Sequence, residues 1–363
     1  MKIVIDAREL RTSSGRYVER LLHYIQQIDD TNQYEILVKS KDISGWKPTR
    51  PNFNKVSCLA KEFSFGEQLK LRKQIKSLKA DLVHFAFPQQ PIWYKGKTVT
   101  TIHDLTTLRF NNPDKNIYLF KFKQKVYSFV IKRAVRKASR VFVPSNFVKE
   151  DLVKFTGIKP SKVLVTYEAA DPITENSESF SNLVNQKFIM YVGRPTPHKN
   201  LDRLIESFVL LKKTHPDLEL VLAGKLDSNY RRIQSMVQTQ DIKDVLFTDF
   251  IREGQLKWLY ENCQAYVFPS LSEGFGLPGL EAMLCGAPVV SSNATCLPEI
   301  YADAAIYFDP LDVISVANKI SEVLDDNLLR DRLAEKGRAR AAEYSWMRMA
   351  RQTLDVYNEV LSE

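Results

Sequence analysis

The sequence predicts an α/β protein made of two doubly wound domains, each a parallel sheet with helices on both faces. Three observations carry this. The chain has 363 residues, beyond the ~250–300 residues at which one hydrophobic core stops growing. Short continuous apolar runs recur along it, the pattern of strands covered on both faces. Amphipathic helical patterns lie between them, and strand–helix alternation builds parallel sheets. The alternation starts at the N-terminus and restarts near Phe188, which gives domains over residues 1–170 and 188–344.

The first domain opens with a buried strand, Lys2 to Asp6, a polar loop through Thr12-Ser13-Ser14-Gly15, and an amphipathic helix from Arg16 to Ile28. Further strands are expected at Tyr34–Val38, Leu82–Phe85, Thr98–Ile102, Val141–Pro144 and Val163–Thr166. The polar, turn-rich run Asp171 to Ser179 reads as a linker, taken to extend over 171–187. In the second domain, strands are expected at Phe188–Val192, Leu218–Ala223, Val245–Thr248, Ala265–Pro269 and Pro288–Ser291. Helices are expected at Asn200–Thr214, Tyr230–Gln240, Glu253–Asn262 and about Pro278–Leu284. A last helix is expected over residues 345–363. Ligands of such sheets sit beyond the carboxyl ends of the strands, so a cleft shared by the two domains is the expected site.

Composition narrows the class. Apolar residues make up 44% and charged residues 26%, with 20 Phe and 15 Tyr, which argues against disorder. Sixteen Pro and 13 Gly exclude collagenous or low-complexity material. No run of about 18 apolar residues suggests a transmembrane helix. The apolar run at the N-terminus is too short for a signal-peptide core. Cys58, Cys263, Cys285 and Cys296 form no C-x-x-C pair, so reduced thiols in a cytoplasm are the expectation. Net charge is +9, but residues 1–170 hold 32 Lys/Arg against 15 Asp/Glu, and residues 171–363 hold 20 against 28. A basic first half suggests an anionic partner: a membrane surface, a phosphate-rich acceptor or nucleic acid.

The densest chemical signal is Pro269-Ser270-Leu271-Ser272-Glu273-Gly274-Phe275-Gly276-Leu277-Pro278-Gly279-Leu280-Glu281. A strand ends, a Gly-bearing loop follows, and a helix starts near Pro278 with Glu281 expected in its first turn. Gly274 and Gly276 permit close backbone approach, and a helix N-terminus offers N–H groups to an anion. A Gly-Pro turn with solvated glutamates is the competing reading. The second signal, Tyr191-Val192-Gly193-Arg194-Pro195-Thr196-Pro197-His198-Lys199-Asn200-Leu201, is again a strand end, loop and helix start, with Asn200 as the expected N-cap. Arg194 offers a planar fork for phosphate oxygens and Lys199 a point charge. Both would otherwise be ordinary surface cations.

These two segments, with Gly286-Ala287-Pro288-Val289-Val290-Ser291 and Leu297-Pro298-Glu299, resemble the retaining family 4 glycosyltransferases of the GT-B fold, two Rossmann-like domains facing a central cleft. The resemblance is strongest over 188–310. Over 1–170 it rests on Gly15-Arg16-Tyr17, Thr101-Ile102-His103-Asp104 and Pro144-Ser145. It implies a nucleotide-diphosphate sugar as donor and no cofactor. Arg194 and Lys199 would hold the diphosphate and neutralise it as it leaves, and Glu281 would bond the ribose. Glu273, with the backbone around Gly274, Phe275, Gly276 and Leu277, would hold the donor sugar. Gly15 would lie against the diphosphate and His103 would reach the sugar, although a lone His after a strand is often structural. The last helix of this fold crosses back to the first domain. The chain reads Thr248-Asp249-Phe250 where many relatives carry a Gly, which leaves the nucleotide base open.

The chemistry agrees. Breaking an anomeric C–O bond builds negative charge on the departing diphosphate, and a well-placed donor stabilises such charge by ~3–4 kcal/mol. No two aspartates stand two positions apart, so the metal-binding Asp-x-Asp pattern is absent from the sequence and a metal-independent reaction is expected. A two-step route through a carboxylate is open to Glu273; the family pattern implies front-face displacement. Gly15-Arg16-Tyr17 with His198-Lys199-Asn200 looks most like mannosyltransferases of surface polysaccharide assembly, making GDP-mannose the first choice. A UDP-sugar transferase of the same family, a sugar-nucleotide epimerase and a non-catalytic nucleotide-sugar-binding subunit are the alternatives.

From Lys115 to Arg140 the chain has nine Lys/Arg and no Asp/Glu, with Ile117, Leu119, Phe120, Phe122, Val126, Tyr127, Phe129, Val130 and Ile131 interspersed. A basic amphipathic helix suits the anionic inner face of a membrane. A core-facing helix with a solvated basic side fits as well. No nucleic-acid-binding motif is present in the sequence.

Overall fold

The apolar runs form two parallel sheets. The structure, a computed structural model, describes residues 1–12, 15–58, 60, 66–110 and 117–363, of which 117–119 by backbone alone. Ser13, Ser14 and Lys115 lie outside the described residues, as do the side chains of Ile117 and Leu119. The chain divides into two units. One holds Met1–Arg109, Pro113–Glu168 and Ser345–Glu363; Ala169–Tyr344 belongs to the other.

The first unit runs β1 (Lys2–Asp6), α1 (Arg16–Ile28), β2 (Gln33–Lys39), β3 (Phe53–Cys58), α2 (Arg72–Ser77), β4 (Leu82–Phe85) and β5 (Thr98–Thr101). It continues with α3 (Thr106–Arg109), α4 (Ile117–Lys137), β6 (Arg140–Val143), α5 (Asn146–Thr156) and β7 (Val163–Val165). Its seven strands lie in the order β3-β2-β1-β4-β5-β6-β7. The order reverses between β1 and β4, the switch point where open α/β sheets take ligands. Phe53–Cys58 was not expected as a strand. Asn54, Lys55 and Ser57 break its apolar run, which an edge position tolerates, and Lys blunts an exposed edge. Beyond β1, Arg8 donates to Asp6 at 2.8 and 2.7 Å and to Glu67 at 2.6 Å, all three buried. Removing one member of such a buried pair costs about 3–5 kcal/mol.

The second unit runs β8 (Lys187–Val192), α6 (Leu201–Leu211), β9 (Leu218–Ala223), α7 (Ser228–Thr239), β10 (Val245–Phe247), α8 (Glu253–Asn262) and β11 (Ala265–Phe268). Then follow α9 (Leu277–Leu284), β12 (Val289–Ser292), α10 (Leu297–Tyr301), β13 (Ala305–Phe308), α11 (Val313–Asp325) and α12 (Asn327–Ala342). Strand order is β10-β9-β8-β11-β12-β13, so the switch point falls between β8 and β11. The polar run before β8 is held against α8. Glu178 N donates to the Gly254 carbonyl at 3.0 Å and Lys257 Nζ to the Glu175 carbonyl at 3.1 Å. A Cβ on Gly254 would stand 2.5 Å from the Asn176 oxygen, so this docking needs glycine.

The chain ends in α13 (Trp346–Ser362), which belongs to the first unit. Ser345 caps it by accepting from the Arg348 amide. Met349, Ala350, Thr353, Val356, Tyr357 and Val360 make its buried stripe at helical spacing. The helix packs on α1 and β4, and the Tyr357 hydroxyl lies 2.5 Å from His84 Nδ1.

Candidate active site

Arg194 and Lys199 stand on the loop after β8, and Glu273 to Leu277 on the segment after β11. Those two strands are neighbours at the switch point, so the topology brings the two sequence signals to one end of one sheet. The loops are tied together by the Leu271 amide, which donates to the His198 carbonyl at 2.7 Å. The Lys199 ammonium donates to Glu273 Oε1, and both side chains are mostly buried, 18% and 13% exposed. The same ammonium lies 5.6 Å from the centre of the Phe268 ring.

Arg194 goes elsewhere. Its Nε donates to Asp227 Oδ2 at 3.1 Å, and its side chain is 72% exposed. Asp227 also caps α7, accepting from the Asn229 and Tyr230 amides at 3.0 and 3.1 Å. Burial raises the Asp227 pKa, but the Tyr230 amide, Arg194 and the Asn229 amide together outweigh it and leave it below the usual carboxylate value. The sequence reading put both cations to one task; each is held by its own carboxylate.

Two expectations need correction. Asn200 stands at the N-cap position of α6, but in the left-handed region with φ 61° and without a side-chain cap. Its side-chain Nδ2 instead donates to the Pro269 and Pro310 carbonyls at 3.1 and 2.7 Å, so it braces the loop after β11. Glu281 is not in the first turn of α9. That helix starts at Leu277, one residue earlier than expected, which puts Glu281 at its fifth position, half-buried.

The glycines are explained by what surrounds them. Gly276 precedes α9 with φ 97°, and a Cβ there would stand 2.5 Å from the Tyr301 hydroxyl. That hydroxyl donates to the Gly276 carbonyl at 2.5 Å. Gly274 is buried, and so is Phe275, whose ring packs 5.4 Å from Tyr344. The Glu273 amide donates to Thr295 Oγ1 at 3.1 Å, which fixes the backbone carrying the carboxylate.

Gly15 and His103 belong to the first unit. A Cβ on Gly15 would stand 2.2 Å from the Glu9 carbonyl oxygen, so the loop after β1 requires glycine there for its own closure. His103 follows β5, with Nδ1 3.2 Å from Glu168 Oε1 and Nε2 3.1 Å from the Ala86 carbonyl oxygen. Burial lowers its pKa, but Glu168, the Ala86 carbonyl and Asp104 together raise it above the ordinary histidine value. Asp227, Thr295, Tyr301 and Glu168 were missed by sequence reasoning. Asp227 had a readable signal, an Asp three residues before the expected helix at Tyr230; the others are brought in by tertiary structure. Among the described residues no group of three or more His, Cys, Asp or Glu is arranged to hold a metal.

Two Rossmann-like units, each a parallel sheet with its own switch point, are the architecture of the GT-B class. The profile of "Glycosyl transferases group 1" matches residues 173–340, and that of "Glycosyltransferase Family 4" matches residues 40–172. The chain belongs to the family 4 glycosyltransferases. It is 28% identical over 280 residues to the O-antigen chain mannosyltransferase B of Escherichia coli, covering 72% of this chain and 70% of that protein. It is 29% identical over 278 residues to the serotype-specific mannosyltransferase WbdA of Escherichia coli; that match takes in 73% of this chain and 34% of the longer relative. The fold is similar to that of sucrose-phosphate synthase from Thermosynechococcus elongatus, with TM-score 0.80, 18% identity and coverage of 100% and 99% of the two chains.

Proposed function

We propose that this glycosyltransferase is a retaining, metal-independent enzyme that moves mannose from GDP-mannose to a glycan or lipid-linked acceptor of surface polysaccharide or glycolipid synthesis. The observation that carries the reading is the Lys199–Glu273 pair, a cation and a carboxylate held together between the two loops of the switch point. Lys199 and Arg194 neutralise the leaving diphosphate, which lowers the barrier where charge develops. Glu273 and the backbone of Gly274, Phe275, Gly276 and Leu277 orient the sugar. Glu281 takes the ribose hydroxyls, Gly15 serves the diphosphate, and His103 serves the sugar. The mannose assignment draws support from the named mannosyltransferases the chain resembles. A UDP-sugar donor is the second reading, since Thr248-Asp249-Phe250 in place of a glycine-bearing segment leaves the nucleotide base open.

The acceptor side is proposed to work at the inner face of a membrane, through α4. Ile131, Ala134 and Val135 bury the helix's later turns in the first unit's core. Earlier, Phe122, Val126 and Phe129 share one face and are 65%, 46% and 59% exposed, among exposed Lys121, Lys123 and Lys125. Apolar side chains left in water beside cations suit an anionic lipid surface. No helix among the described residues is long and apolar enough to cross a membrane.

A thermal-shift screen of nucleotide sugars tests the donor. A ligand at 100 times its Kd stabilises by about 2.7 kcal/mol, so GDP-mannose should raise the melting temperature more than UDP-sugars do. Stabilisation by UDP-sugars alone would move the assignment to the second reading.

A further inference from the structure

His103 has an acceptor on each ring nitrogen. Nδ1 faces the Glu168 carboxylate at 3.2 Å, and Nε2 faces the Ala86 carbonyl oxygen at 3.1 Å. A carbonyl and an ionised carboxylate accept and do not donate. A neutral imidazole has one N–H, so either tautomer would set one ring lone pair against an oxygen lone pair. Against an ionised Glu168, the two contacts are satisfied by the imidazolium alone. The ring is also walled in: Tyr17 meets it edge-on at 4.8 Å and Phe87 lies 5.0 Å away.

The other titratable groups around it agree. Glu168, from the segment after β7, and Asp104, the next residue in the chain, are the carboxylates that favour the cation. His84 on β4 is held neutral, its pKa lowered to about 3 by burial and by the charge of His103. Its two nitrogens are taken by the Tyr357 hydroxyl at 2.5 Å and Thr101 Oγ1 at 2.8 Å. Tyr17 on α1 is pushed up by burial and stays neutral, its hydroxyl 3.0 Å from Thr101 Oγ1. His103 is therefore the charged imidazole, favoured chiefly by Glu168, and His84 the neutral one, held so chiefly by burial.

We propose that Glu168 is a positioning residue that keeps His103 doubly protonated and fixed in orientation, so that His103 meets the sugar nucleotide only as a hydrogen-bond donor, its Nε2–H passing from the Ala86 carbonyl to a sugar oxygen. This rests on the reading of His103 as a donor-sugar residue. Glu168 stays on Nδ1 throughout, and no proton is transferred. A neutral His103 could instead accept from a sugar hydroxyl, so loss of Glu168 exchanges the pattern of recognition as well as weakening it.

The test compares wild type, Glu168→Gln and Glu168→Asp as full chains, each checked for folding by circular dichroism. NMR titration of the His103 ring without substrate reads the charge directly, and pH profiles of kcat read its use. The proposal expects His103 in Glu168→Gln to deprotonate at lower pH than in wild type, and the alkaline limb of kcat to move with it. Turnover of that variant should fall about tenfold at pH 7.5 and return to within about twofold of wild type at pH 5.5. Glu168→Asp, which keeps the charge, should keep the wild-type profile. An unchanged titration, or a loss equal at every pH, overturns the proposal. The titration needs no transfer activity: a shifted midpoint in a chain that transfers no sugar sinks the proposed function and the donor role of His103, and leaves the ion pair standing.

Discussion

Lys199 and Glu273 form an ion pair that joins the loop after β8 to the segment after β11. Each holds the other's charge in a mostly buried place, where either one alone would be costly. Under the proposed function, a donor diphosphate would give Lys199 a second, stronger anionic partner. On the function proposed above, the pair holds a cation for the leaving group and a carboxylate for the sugar already in position.

If Lys199 neutralises the leaving diphosphate as proposed, Lys199→Ala removes stabilisation realised mainly in the transition state. Turnover with saturating donor should fall by about 100-fold or more, with the circular dichroism spectrum retained. Near-wild-type kcat would remove Lys199 from the leaving-group role.

Asp227 both caps α7 and holds Arg194. Asp227→Ala should lower stability in urea by about 1 kcal/mol, nearly all from the lost cap. The exposed ion pair adds little. The matching control is Arg194→Ala: it should barely move the urea midpoint and should weaken turnover, the opposite balance. Equal stability losses in the two variants would contradict this division.

Gly276→Ala meets both a left-handed backbone and the Tyr301 hydroxyl. Strain of this kind costs about 1–3 kcal/mol. Donor affinity should fall as well, because the backbone from Gly274 to Leu277 must shift. A calorimetric titration with unchanged Kd would separate this turn from the donor.

The fold was legible because strands such as Phe188–Val192 and Leu218–Ala223 are continuous apolar runs. Phe53–Cys58 was not, since its edge position lets polar residues stand in a strand. At the site, Lys199 and Glu273 were readable as residue types at meaningful spacing, but their pairing was not. Asn200 misled for a physical reason: Asn favours both helix caps and left-handed backbone, and here it adopts the second. The His103–Glu168 pair spans 65 residues and depends on where β5 and β7 end, which no local pattern reports.

Acid stability should carry the mark of His84. Its folded pKa of about 3 lies below the ordinary value, so below about pH 6.5 the unfolded chain binds the extra proton. Its contribution is present above that pH and is lost as pH falls toward 3, by up to about 1.4 kcal/mol per pH unit. His84→Gln should flatten the slope between pH 4 and 6 in urea titrations; an unchanged slope would mean His84 is charged when folded.

Replacing Lys121, Lys123 and Lys125 with Ser removes three exposed cations beside Phe122, Val126 and Phe129. If all three lie near an anionic surface, binding weakens by about 3 kcal/mol. Co-sedimentation with anionic vesicles should drop sharply, and wild-type binding should weaken with salt. Donor binding should survive, as should activity on a short soluble acceptor. Unchanged co-sedimentation would return these lysines to a solvated face.

Retaining transfer from a nucleoside-diphosphate sugar without a metal has its own signature in the product. Proton NMR of the product formed from GDP-mannose in the presence of EDTA tests it most directly. GDP release should accompany a new α-mannoside, the anomeric configuration of the donor, with EDTA making no difference. A β-mannoside, or no product until a divalent metal is restored, would contradict it.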